Sequence, residues 1–313
     1  AHNLPSRTAA ALSMEVRAEE WEYIREELRL RAAPPRMLSA LRDWFHLLDG
    51  LKPAELHGST LDYEIVDLLD RLCRILATVP LPWREFTPET RDQLYELFSM
   101  RSLLNREDLE LLKWSPHRAT LHLTCLNAGP EIKSQLSRFS HTLLMSATLH
   151  PLEPFALSCG LSPENTQVIQ APAPWRDQAY TVAVDTRVDT RYKTRERYFT
   201  HTAETIRLMQ GYSENPLVVF FPSYRYAETI QEYLKASDPL LRVTIQPRGA
   251  TLREQEAFIE ESLPFHDVLF LILGTGFSEG IDALGGKIDH AIVVGPALPE
   301  VNAVQHAKMR QWA

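Results

Sequence analysis

Four short segments of this sequence put hydroxyl, acidic or basic residues where chemistry could use them. The chain opens Ala1-His2-Asn3-Leu4-Pro5, and far downstream the run Thr142–Met145 leads into Ser146-Ala147-Thr148. The apolar stretch Leu217-Val218-Val219-Phe220-Phe221 runs into Pro222-Ser223-Tyr224-Arg225. Val268–Leu273 runs into Gly274-Thr275-Gly276-Phe277-Ser278-Glu279-Gly280-Ile281-Asp282. Ser223, Tyr224 and Arg225, with Gln246, Arg248 and Thr251 after a second apolar run, supply donors that suit phosphate oxygens, arginine by two parallel bonds. Gly276 and Gly280 allow close backbone approach, and Glu279 and Asp282, two acids after a Gly-rich strand end, suit a binding site. Each of these has a plainer reading. Ser146 and Thr148 could cap the segment that follows them, Gln246, Arg248 and Thr251 could merely cap the next helix, Tyr224 could be packing, and Glu279 and Asp282 could be turn or cap acids.

The surrounding elements decide where these residues fall. Residues 13–114 read as helices separated by proline-marked breaks: Glu15–Leu30, Met37–Leu51, Leu61–Val79, and a fourth from Thr87-Pro88-Glu89 towards Leu104. The apolar positions recur three and four apart, and Thr87-Pro88-Glu89 combines a capping threonine with proline at the first helical position. Lacking any long strand signal, this stretch is expected to be all-helical. From Arg118 the character changes. Thr120–Leu126 alternates between Leu121, Leu123, Cys125 and the polar Thr120, His122, Thr124, as a half-buried strand does. His122 and Cys125 then face opposite ways, which speaks against a metal site there. Strands are expected at Thr142–Met145, Tyr180–Val184, Leu217–Phe221, Leu241–Ile245, Val268–Leu273 and Ala291–Val294. Helices are expected near Arg195–Gln210, Tyr224–Leu234 and Leu252–Ser262. Such alternation implies a parallel sheet covered on both faces, whose ligands gather beyond the carboxyl ends of its strands. No internal repeat or low-complexity tract is read.

With 313 residues, 44% hydrophobic and 24% charged, the chain has the size and composition of two or three globular domains. The net charge of −8 speaks against nonspecific coating of nucleic acid but not against a strand held in a local groove. No apolar run approaches the roughly 20 residues of a membrane helix, so no membrane partner is expected. The chain opens on Ala1 without a signal segment, which reads as a cut inside a longer, intracellular protein, cytoplasmic or nucleoid-associated if bacterial. Three scattered cysteines, Cys73, Cys125 and Cys159, fit free thiols better than a disulfide framework.

Taken together, the ordered segments resemble the motifs of the XPD/DinG branch of superfamily 2 helicases. Ala1-His2 is similar to the second half of a DEAH box, and Ser146-Ala147-Thr148 to motif III. Phe220–Tyr224 is similar to motif IV, and Phe277–Asp282 to motif V. The resemblance implies an α/β fold: RecA-like helicase lobes of the P-loop NTPase type, each with a parallel sheet, and an inserted all-helical Arch domain. Residues 1–8 would be the end of the DEAH segment of lobe 1, 9–115 the Arch-like insert, 116–170 the rest of lobe 1, and 171–313 lobe 2. The implied activity is ATP-dependent, 5′-to-3′ translocation on single-stranded DNA and unwinding of forked duplexes, of the kind DNA repair uses, with ATP and Mg²⁺ as cofactors. His2, Ser146 and Thr148 would couple hydrolysis to movement, Gly276, Glu279, Gly280 and Asp282 would face the nucleotide, and Ser223, Tyr224, Arg225, Gln246, Arg248 and Thr251 would hold the strand.

The departures matter as well. No Gly-x4-Gly-Lys-Ser/Thr loop occurs; Gly285-Gly286-Lys287-Ile288 is a decoy. The missing N-terminal part of lobe 1 is an expected partner. The arginine of motif VI would lie beyond Ala313, and the cysteines of the family's iron–sulfur cluster would fall upstream, none of them within this chain. By itself the chain is expected not to hydrolyse ATP. The rival reading is a non-catalytic nucleic-acid-binding or scaffolding protein that keeps a degenerate helicase fold.

Overall fold

The computed structural model describes residues 3–146, 149–172, 174, 179–249, 251–278, 284–296 and 302–312. They form two compact units, residues 1–171 with 300–313, and residues 172–299. The last helix therefore groups with the first unit, whereas the sequence reading ran the second domain to residue 313.

In the first unit α1 (Leu4–Ala11), β1 (Met14–Arg17), α2 (Ala18–Leu30), α3 (Pro35–Asp49), β2 (Ala54–Glu55), α4 (Thr60–Thr78) and α5 (Pro88–Leu104) come first. β3 (Glu110–Ser115), β4 (Thr120–Asn127), α6 (Gly129–Leu136) and α7 (Leu152–Ser158) follow. The four expected helices are present. Their apolar stripes, including Trp21, Ile24, Leu41, Trp44, Leu48, Ile65, Leu72, Leu94 and Leu97, make one core. Ser59 and Thr87 cap α4 and α5 by accepting from the Asp62 and Thr90 N–H groups.

The all-helical expectation for residues 9–115 needs correction. β1, β2 and β3 lie in that span and join β4 in an antiparallel sheet of order β1-β4-β3-β2. β1 has four residues and β2 two, too few to show a period of two, and the burial of β3 does not alternate cleanly. Pairing with β4 makes them strands, so tertiary context overrides local preference. β4 buries Leu121, Leu123 and Cys125 and leaves His122 and Thr124 partly exposed, the alternation read from sequence, except that Thr120, expected on the polar face, is buried too.

The second unit holds α8 (Phe199–Gly211), β5 (Leu217–Phe221), α9 (Tyr224–Ser237), β6 (Val243–Ile245), α10 (Leu252–Ser262), β7 (Val268–Ile272) and β8 (Ala291–Val293). The final helix, α11 (Ala303–Trp312), packs on β3 and β4 in the first unit. The four strands of the second unit form a parallel sheet, order β6-β7-β5-β8. β5 and β7 run in register from Leu217 opposite Val268 to Phe221 opposite Ile272. Leu217, Val219, Phe221, Val268, Phe270 and Ile272 share one core with Ala203, Ile206, Tyr226 and Ile230 of α8 and α9. Val218, Leu269 and Leu271 share another with Ile259 of α10 and Leu263 just past its end. Both faces are covered, as the continuous apolar runs require.

Two expected strands do not form. Thr142–Met145 and Tyr180–Val184 carry no ladder. Leu143 is 73% exposed and Val184 80%. A strand needs a neighbour for its N–H and C=O groups, and among the described residues neither run has one. Among the described residues, no helix is long and apolar enough to cross a membrane.

Candidate functional site

In the second unit, three of the singled-out segments leave the carboxyl ends of adjacent parallel strands: Pro222–Arg225 after β5, Gln246–Arg248 after β6, and Gly274–Gly276 after β7. Gln246 ties them together. Its side chain is 3% exposed. Its Nε2 donates to the Tyr224 hydroxyl at 2.8 Å and to Thr275 Oγ1 at 3.2 Å, while its Oε1 accepts from the Ile272 N–H at 2.7 Å. β6 ends one residue earlier, so the Gln246 amide continues the ladder beside β7 after the backbone strand has stopped. Tyr224 in turn donates to the Pro247 carbonyl at 3.1 Å, and Thr275 to the Ile272 carbonyl at 2.6 Å. A side chain from each loop thus enters one network. Buried amides with every group paired hold loops rigidly, because losing a partner strands a desolvated polar group.

This placement revises the role expected for Gln246. Both its donors are taken, leaving it none for a phosphate, so it organises the rim from below. Thr251 shows the plainer of its two readings, and Ser223, expected only as a phosphate contact, is a helix cap as well. Ser223 caps α9 by accepting from the Tyr226 N–H. Thr251 forms a capping box with Glu254, Oγ1 donating to Oε2 at 2.7 Å and accepting from the Glu254 N–H at 3.4 Å.

The cations stand outward. The Arg248 guanidinium lies 4.2 Å from the Tyr224 ring centre and donates to Glu228 Oε1 at 2.7 Å, with its side chain 66% exposed. Stacking on the ring and pairing with the acid fix the guanidinium over the network while part of its donor fork stays open. Arg225 is exposed on the first turn of α9. Beyond β7, the Gln255 amide fills the space beside Gly276: a Cβ there would meet Oε1 at 2.4 Å. Glycine gives this polar group room next to the motif V segment.

Ser146 lies outside any strand and is half-buried, so the strand end expected to carry it is not built. His2, Thr148, Glu279, Gly280 and Asp282 lie outside the described residues. Sequence reasoning missed Thr275 and Glu228 as parts of the site. The glycines on both sides of Thr275 were a usable sign, since they mark a tight turn directly after a buried strand. Glu228 gave none, being one charge on a helix surface. Among the described residues, no group of three or more His, Cys, Asp or Glu could hold a metal ion.

Comparison with known proteins bears on the domain and the fold. Residues 206–313 match the family described as helicase C-terminal domain. The chain is similar to a solved structure titled XPD helicase, with a TM-score of 0.56 at 15% identity over 99% of this chain and 55% of the other. It is similar to S. tokodaii Xpd4, with a TM-score of 0.58 at 14% identity over 99% of this chain and 60% of that one. An apo XPD structure matches with a TM-score of 0.56 at 14% identity, over 99% and 62%. Identities this low speak to the fold alone. The chain spans between 55% and 62% of the length of these structures. No curated protein matches it. The family match supports a helicase C-terminal domain over residues 206–313, and the solved structures support an XPD-like fold.

Proposed function

Because the chain pairs a helicase C-terminal domain with an XPD-like fold, we propose that it serves as the strand-holding and nucleotide-sensing portion of an ATP-dependent DNA helicase. The observation that carries this reading is the Tyr224–Gln246–Thr275 network, which locks three strand-ending loops beneath exposed Arg225 and Arg248. Such an arrangement suits backbone phosphates, which can be held without reading bases. Ser223 and Thr251 would contribute their backbone turns, and Arg225 and Arg248 the charge. Movement would run 5′ to 3′ along single-stranded DNA, inside the cell. Residues 9–115 would be the Arch-like insert and 116–170 the end of lobe 1. His2, Ser146 and Thr148 would report the nucleotide state to the strand.

Phosphoryl transfer needs a phosphate cradle, a metal held by an acid, an oriented water and a cation. ATP and Mg²⁺ would supply the energy when bound, and Gly276, Glu279, Gly280 and Asp282 are this chain's contribution to their neighbourhood. With no Gly-x4-Gly-Lys-Ser/Thr loop in the sequence, the chain alone is expected to release no phosphate from ATP, with or without single-stranded DNA. The full-length protein is expected to do so in a DNA-stimulated manner. Steady-state phosphate release checks both; turnover by the isolated chain that Glu279→Ala abolishes would contradict the division of labour.

A further inference from the structure

Residues 185–197 read Asp-Thr-Arg-Val-Asp-Thr-Arg-Tyr-Lys-Thr-Arg-Glu-Arg. Thr-Arg recurs at 186–187, 190–191 and 194–195, so on a four-residue scale the sequence does repeat, contrary to the reading above.

The first two copies fold alike. Asp185 accepts from the Arg187 backbone N–H at 3.0 Å and from its Nε and Nη2 at 2.9 and 2.8 Å. Asp189 accepts from the Arg191 backbone N–H and Nε at 3.0 Å and from its Nη2 at 2.5 Å. In both, the acid's side chain is the less exposed partner, at 27% and 24%, against 65% and 81% for the arginine's. The arginine bonds hold both carboxyls well below the usual carboxylate range, so each clamp stays ionised at any physiological pH. Thr205 of α8 donates to Asp185 at 3.0 Å and roots the first clamp. A guanidinium has five donors; the acid takes those on Nε and one of Nη2, Arg187 Nη2 also donates to Thr205 Oγ1 at 3.3 Å, and the Nη1 donors of both arginines are left over.

The third copy turns inward and anchors the segment. The Arg195 guanidinium lies between the Tyr192 and Tyr226 rings, 4.8 and 4.6 Å from their centres. Tyr226 is fully buried in the first turn of α9, directly after β5. Thr190 packs against Gly295, two residues past β8; Gly295 has φ +77°, and a Cβ there would come within 2.5 Å of Thr190 Oγ1. The segment is therefore pinned at the carboxyl ends of β8 and β5, the sheet edge from which Pro222–Arg225 also emerges. Lys193 and Arg197 add exposed cations, and Tyr192, 72% exposed, keeps ring surface towards solvent.

We propose that Arg187, Arg191, Lys193 and Arg197 form a preset track for the backbone phosphates of single-stranded nucleic acid, with Tyr192 offering a stacking face to a base. This rests on the reading that the chain handles a strand, and it assigns a second, separate grip to that function. The chemistry favours a strand over an acidic protein. Spaced, outward cations held in advance by acids suit a polymer with one charge per unit, and an exposed ring beside them suits a base. Each clamp fixes its guanidinium before the ligand arrives, so less side-chain freedom is lost on binding.

The test is a salt titration of single-stranded DNA binding by the full-length protein, on an oligo-dT and on an unrelated mixed-sequence oligonucleotide. The triple variant Arg191→Gln, Lys193→Gln, Arg197→Gln is expected to lower the slope of log affinity against log salt by about 2, at about 0.7 per phosphate contact, equally for both oligonucleotides and with an unchanged melting temperature. Restoring charge as Arg191→Lys within that variant is expected to return about a third of the loss. Neutralising Arg29, Arg42 and Arg71, exposed cations of the first unit, is expected to leave the slope alone. A track variant that matches wild type, or a control triple that falls equally, overturns the track and leaves the helicase reading standing. Failure of the wild-type protein to bind either oligonucleotide overturns both.

Discussion

Two apolar runs that end in serine, Thr142–Ser146 and Leu217–Ser223, look alike in sequence and behave differently in the fold. The second becomes β5, paired on both sides with its five residues in register against β7, and Phe221 is wholly buried. The first carries no ladder, and Leu143 and Met145 are 73% and 71% exposed. The local signal is the same, and the neighbour makes the difference. Backbone groups at the centre of a sheet must be paired on both sides, and side chains gain from burial only when something covers them. The serines diverge with their strands: Ser223 caps α9, while Ser146 closes no strand.

Truncating both runs sets the scale of that contrast. Phe221→Ala removes a side chain packed on Phe270 and Tyr226 at ring distances of 4.6 and 5.4 Å, and is expected to destabilise the second unit by about 3–5 kcal/mol. Leu143→Ala is expected to stay within about 0.5 kcal/mol of wild type in this chain. Denaturant unfolding of the two variants checks the pair. A large loss at Leu143 would mean that its run is covered in solution.

The next effect concerns the rim. Gln246→Leu keeps the bulk but leaves the buried Ile272 N–H without its acceptor and frees Tyr224 and Thr275 from their shared donor. A stability loss of about 1–3 kcal/mol is expected, together with faster hydrogen exchange in the loops after β5, β6 and β7. If exchange rises in only one of the three loops, Gln246 does not join them.

The first unit has its own buried polar tie, and it yields a smaller, pH-dependent effect. Glu27 on α2 accepts from the Thr87 N–H at 2.8 Å, from Thr87 Oγ1 at 2.9 Å, and from the Thr90 hydroxyl, all at the start of α5. Burial pushes its carboxyl up, but the Thr90 and Thr87 bonds more than offset this and leave it below the ordinary value of 4.5. A carboxyl lower in the folded than in the unfolded chain stabilises fully above the ordinary value and loses that contribution as pH falls through its folded value. Glu27→Gln is therefore expected to narrow its gap from wild type as pH drops from 7 to below 4. Melting temperatures across that range check it; a gap that widens with acid would reverse the assignment.

Much of this was legible in the sequence, for physical reasons. Long periodic stretches such as Leu61–Val79 and the continuous run Leu217–Phe221 announced a helix and a central strand, because their own residues supply most of the buried surface. β1 and β2, with four and two residues, and the final helix Ala303–Trp312 went unseen because pairing with β4 and packing on β3 and β4 define them. At the site, the sequence placed Tyr224, Gln246 and Arg248 after strands but could not tell a buried amide from an exposed one. The network geometry separates Gln246, which organises, from Arg248, which faces outward.

The central claim is that the carboxyl-end rim of the parallel sheet holds a strand through outward cations set on a buried network. The most direct measurement is a salt titration of single-stranded DNA binding for wild type against Arg248→Ala. The guanidinium is an exposed partner of Glu228, so its removal is expected to shift stability by less than about 1 kcal/mol. Binding is expected to weaken alike for unrelated oligonucleotides, and the slope of log affinity against log salt to fall by about 0.7. A slope identical to that of wild type, with binding intact, would contradict the account and leave Arg248 a surface residue that merely covers Tyr224.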